Sequence, residues 1–69
     1  MNIIKEKRLS LGMHQKTLAR KIGVSLSTVK RWEHNETYPN TLNIYKLESV
    51  LKIDAREYVK SLIKKTGVK

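Results

Sequence analysis

The chain contains no cysteine, a single proline, only three glycines and only six acidic residues in a length of 69. The missing cysteine excludes disulfide staples and thiolate metal sites, and it fits a cytoplasmic protein. No apolar run is long enough to span a bilayer. The start, MNIIKEKRLS, has two adjacent isoleucines before charges begin, so it reads neither as a signal peptide nor as a membrane anchor. There is no HExxH and no glycine-rich phosphate loop, and the two histidines, His14 and His34, stand far apart. An enzyme, a metal site and a cofactor are therefore not expected. Repeats and low-complexity segments are lacking too, and the expectation is one domain over residues 1–69, with a core of about 3–65 and a basic tail at 66–69. A domain this small buries only about 60% of its unfolded surface, so helix packing must supply the stability, with help from a partner where one binds.

Acidic residues are scarce against fifteen lysines and arginines, which leaves a net charge of +9 and a pI of about 10.1. Such an excess favours an anionic partner, either nucleic acid or an acidic membrane surface. The charge is uneven. Residues 1–34 hold eight basic and two acidic groups, residues 35–69 seven and four.

The more basic half contains QKTLARKIGVSLSTVKRWEH, residues 15–34, around which the chain is organised. Ala19 is small enough for a second helix to cross close by. Gly23 follows Ile22 and tolerates the positive φ of a helix C-terminal cap. Val24 plugs the gap, and Ser25 is an N-cap for the next helix. Val29 and Trp32, three apart, form that helix's inner stripe, with Thr28 and Glu33 at its flanks. Ser27, Lys30, Arg31 and His34 face outward, with Leu26 between the two faces in the first turn. Two short helices around a tight turn, the second with a polar, basic outer face, have the spacing of a helix-turn-helix. An ordinary helical hairpin in a core is the bland alternative, and isolated lysines on a solvated face would fit it.

The remaining elements follow from periodicity. Residues 3–11 predict a first helix on which Ile4, Arg8 and Leu11 share a face, ended by Gly12. An arginine on that face needs a counter-charge, and Glu33 is the candidate. Met13 is core filling. Gln15 opens the second helix, 15–22, with Leu18, Ala19 and Ile22 inward; His14 before it is a poor cap. The loop NETYPN, 35–40, leads to a fourth helix capped by Asn40 or Thr41 and running to about Leu51, with Ile44, Leu47, Val50 and Leu51 inward. Ile53 is a core plug and Asp54 an N-cap. A fifth helix over about 55–65 carries Ala55, Tyr58, Val59, Leu62 and Ile63 at i, i+3, i+4, i+7 and i+8.

With Gln15, Ala19, Gly23, Val24, Ser25, Val29, Trp32 and Glu33 in register, the chain resembles the phage repressor and Cro family of helix-turn-helix regulators. The resemblance spans about residues 3–59, taking in Arg8-Leu9-Ser10-Leu11-Gly12-Met13 before the motif and KLESVLKID after it. It implies an all-α, five-helix, lambda-repressor-like domain with its third helix in the major groove. It implies base reading by Leu26, Ser27 and Arg31, phosphate contact by Gln15 and, from the following loop, by His34, Thr37, Tyr38 and Asn40, and a structural ion pair of Arg8 with Glu33. Thr28 and Lys30, beside the reading face, are expected at phosphates. One departure is His34-Asn35-Glu36 where the family often has a glycine, and Glu36 would oppose a phosphate. The function expected is a sequence-specific, double-stranded-DNA-binding transcriptional regulator, cytoplasmic, acting as a homodimer on a palindromic operator. The competing readings are an antitoxin-like protein-interaction module on the same fold, and a basic amphipathic membrane-surface binder built on Arg56, Lys60, Lys64 and Lys65.

Overall fold

The computed structural model describes residues 2–66, with side chains as far as residue 63. Five helices follow one another: α1 (Ile3–Ser10), α2 (Gln15–Ile22), α3 (Leu26–Glu33), α4 (Thr41–Leu51) and α5 (Ala55–Thr66). No strand occurs among the described residues. The expected tail lies outside them from residue 67 onward, and Thr66 belongs to α5.

Local chemistry starts and stops each helix. Asn2, Ser25 and Asn40 cap α1, α3 and α4 by accepting the backbone N–H three residues on, from Lys5, Thr28 and Asn43. Asp54 Oδ1 accepts from Arg56 N at 2.8 Å, and Glu48 Oε2 adds a bond from Ala55 N at 3.3 Å, so a carboxylate of α4 steadies the start of α5. His14 precedes α2 with no capping bond from its side chain. Gly23 ends α2 at φ 91°, its N–H bonded to Ala19 O at 2.8 Å.

The core is Ile4 of α1, Leu18, Ala19 and Ile22 of α2, Val29 and Trp32 of α3, Leu47 and Leu51 of α4, Ile53, and Tyr58 of α5. Met13, Val24, Ile44, Val50 and Leu62 pack against it, partly buried. α2 packs on α3 and α4, α1 on both α3 and α4, and α5 on α4. One expectation changes. α1 stops at Ser10, so Leu11 is its C-cap; off the helical register, its side chain is 48% exposed and does not share the buried face of Ile4 and Arg8. On α5, Tyr58 is fully inside, while Val59 and Ile63 remain 41% and 45% exposed.

Candidate nucleic-acid interface

The interface is built on α3, and α3 is held by an ion pair from α1. Arg8 Nε donates to Glu33 Oε2 at 2.6 Å and Nη2 to Oε1 at 3.1 Å, a two-point contact with both side chains buried. Arg8 Nη1 also donates to Met13 O at 2.7 Å. The carboxylate receives a third donor, Gln15 Nε2, at 3.0 Å on Oε1. Glu33 thus ties together α1, the start of α2 and the end of α3, so the charge removed from water is matched on both oxygens. Gln15 uses one amide hydrogen in this network and keeps another, at the open start of α2 where backbone N–H groups are unpaired.

Asn2 closes the other side. While its Oδ1 caps α1, its Nδ2 donates to Trp32 O at 2.8 Å and to Asn35 Oδ1 at 2.9 Å. Asn35 sits at φ 59°, a left-handed conformation that asparagine tolerates and that turns the chain out of α3. The position where the family often has glycine therefore keeps its backbone turn through a different residue. The clamp by Asn2 was not foreseen. The capping signal was visible in Asn-Ile-Ile, but nothing in the sequence pointed to the far end of α3.

With Val29, Trp32 and Glu33 turned inward, α3 presents Ser27, Lys30 and Arg31 to solvent; Leu26 is 36% exposed at the first turn and Thr28 is half-buried at the flank. Ser25, Ser27 and Thr28 form a hydroxyl cluster, with Ser25 Oγ 3.1 Å from Ser27 Oγ and 2.9 Å from Thr28 Oγ1. His34 is the exposed C-cap of α3. Thr37, Tyr38 and Asn40 are exposed around Pro39, which is buried and anchors the loop; Asn40 also caps α4. The structure thus gathers Leu26, Ser27, Lys30 and Arg31 on one helix face and Gln15 and Thr28 at its margin, with His34, Thr37, Tyr38 and Asn40 exposed at and beyond its C-terminal end. Glu36 is exposed in the same loop.

Behind the loop, Tyr58 is 2% exposed and its hydroxyl has no hydrogen-bond partner among the described residues. Burial first, and Tyr38 second, push its pKa up to about 12. Among the described residues no cluster of His, Asp or Glu could hold a metal ion. No helix among them is long and apolar enough to cross a membrane.

The five-helix arrangement, with a helix-turn-helix at α2 and α3, is that of an all-α, lambda-repressor-like DNA-binding domain. A family model described as helix-turn-helix matches residues 4–58, and the chain belongs to that family. Among curated proteins it is similar to the type II methyltransferase M1.ScrFI of Lactococcus lactis subsp. cremoris. The two are 51% identical over 45 aligned positions, which cover 61% of this chain and 12% of that protein. No solved structure matches the chain significantly.

Proposed function

We propose that the protein is a sequence-specific regulator of transcription that binds double-stranded DNA as a homodimer on a palindromic operator, with α3 in the major groove. The observation that carries this reading is the outer face of α3. It is short, polar and basic, and it is held rigid from behind by the Arg8–Glu33–Gln15 network. A face so fixed suits base reading, because a specific contact requires side chains held at known positions. Arg31 suits guanine, whose O6 and N7 match a guanidinium; Leu26 suits a thymine methyl; Ser27 suits a base edge; and Lys30, Thr28 and Gln15 suit flanking phosphates. The net charge of +9 favours the same partner. The role is binding, not catalysis.

The likeness to a type II methyltransferase supports a narrower form of this reading, in which the DNA bound is tied to DNA methylation. Selection of bound duplexes from a random pool tests both. A single palindromic consensus is the expected result. Binding that differs between methylated and unmethylated copies of the consensus favours the narrower form, and recovery of unrelated sequences overturns the regulator.

A further inference from the structure

The hydroxyl cluster at the start of α3 has a hydrogen count that restricts what Ser27 can offer to DNA. A hydroxyl has one hydrogen to donate and lone pairs for two acceptances. Ser25 Oγ already accepts Thr28 N–H at 3.2 Å, the capping bond. One acceptance and one donation remain, and its two hydroxyl neighbours, Ser27 Oγ and Thr28 Oγ1, take one each. The hydrogens therefore run in one of two directions: Ser27 to Ser25 to Thr28, or Thr28 to Ser25 to Ser27. In the first, Thr28 keeps its hydrogen and Ser27 shows the groove only lone pairs. In the second, the roles are exchanged.

Resting on the DNA reading above, the geometry points to the first direction in the complex. Thr28 lies at the flank of the helix, where a backbone phosphate would meet it, and a phosphate oxygen can only accept. Thr28 must then donate outward, so it cannot donate to Ser25. Ser25 donates to Thr28, and Ser27 donates to Ser25. Ser27 is left an acceptor and selects an exocyclic amino group, adenine N6 or cytosine N4, rather than a purine N7 or a carbonyl. Thr28 and Ser25 thereby act as positioning residues for base choice without touching a base. The capping residue of α3 transmits the demand of a phosphate to a base two residues along the chain.

The test uses the duplex that the full chain selects. The base pair whose preference disappears in Ser27→Ala is the one Ser27 reads. Removing the exocyclic amino group at that pair is expected to weaken wild-type binding about threefold to tenfold. The same change should have no effect on Ser27→Ala. Replacing the purine N7 there by a carbon should leave the wild type unaffected. In Thr28→Val the outward donor is gone, so Ser25 is free to donate to Ser27. With both directions then open to the Ser25–Ser27 pair, binding to every duplex should weaken and the amino group should lose its advantage over N7 at this pair, while Thr28→Ser keeps the wild-type pattern. Circular dichroism checks that each variant is helical, and Thr28→Ala replaces Thr28→Val if that variant does not fold. No loss on removing the amino group, or an unmoved pattern without the Thr28 hydroxyl, overturns the relay. Wild-type binding with no sequence preference at any position removes the regulator itself, a different failure.

Discussion

Lys30 and Arg31 are neighbours with the same charge on the same exposed face, yet they are expected to do different work. A guanidinium offers a fixed fork that fits guanine, whereas an ammonium is a point charge suited to phosphate. Arg31→Ala is expected to cost about 1–3 kcal/mol on the selected operator and to relax preference at one base pair per half-site. Lys30→Ala should weaken binding to all sequences alike and lower the salt slope by about one per subunit. Specific and non-specific affinities measured at one salt concentration separate the two; an equal loss in both for Arg31→Ala would make it a phosphate anchor. Tyr58 offers a second test at this scale. Its hydroxyl is buried without a partner among the described residues, so Tyr58→Phe should leave the melting temperature at neutral pH unchanged or raised. The sign of its pH effect follows from the raised pKa. Folding favours the protonated phenol, so this contribution is complete below the ordinary value of 10.0 and drains away as pH rises toward about 12. Wild type should therefore lose stability across that window, on the order of 2 kcal/mol more than Tyr58→Phe. Parallel alkaline melting curves for the two proteins would contradict the shift.

Beside the apolar core, one charge ties three of the helices together. Glu33 at the end of α3 takes donors from α1 and α2, and all three elements lose a contact if it is left unmatched. Arg8→Ala leaves a buried carboxylate with only Gln15, and the expected loss is on the order of 3 kcal/mol. Arg8→Met combined with Glu33→Leu should regain much of that loss, because an apolar pair of similar volume carries no desolvation penalty. Thermal melting of the single and double variants decides it. An unchanged melting temperature for Arg8→Ala would mean that the pair is solvated. The double variant has a second use, since it frees Gln15 from Glu33; operator affinity should then fall even where stability is regained.

The net charge of +9 belongs to the molecule as a whole. Binding should depend steeply on salt. If each half-site neutralises about four to six phosphates, a dimer's log–log slope is roughly −7 to −11. A slope near zero would remove the nucleic-acid reading, and stronger binding to anionic vesicles than to DNA would favour the membrane surface. Opposing that alternative, Tyr58 of the basic fifth helix is already committed to the core. Leu42, Tyr45 and Val59 remain 62%, 61% and 41% exposed along α4 and α5, and Tyr45 and Val59 border a groove of about 400 Å³ whose walls also include Ile44, Ala55, Arg56 and Lys60. This is the side expected to meet the second subunit, with half-sites about 34–36 Å apart. Tyr45→Asp should lower affinity for the full operator while leaving affinity for an isolated half-site unchanged. Protection of one half-site by a single wild-type subunit would contradict the dimer.

The five helices were legible in the sequence because the signals that set them act over a few residues: apolar spacing, a cap at Ser25 and one at Asn40 or Thr41, Gly23 after Ile22, Pro39 in the loop. The pairing of Arg8 with Glu33 was legible as well, since an arginine on an apolar face needs a counter-charge and Glu33 is an acid near the inner face of its helix. Where Leu11 points was not legible; one residue past the end of α1 the helical period no longer governs the side chain. Nor was the bond from Gln15 to Glu33, the grip of Asn2 on Trp32 and Asn35, or the shared hydroxyls of Ser25, Ser27 and Thr28. Periodicity reports which face of a helix is apolar. Which polar groups meet depends on how the helices cross and on which rotamers fit, and only the tertiary structure decided that. The same limit holds for α5. Its stripe was plain in the sequence, but a stripe does not say how much of it the core will cover, and the packing buried Tyr58 while leaving Val59 on the surface.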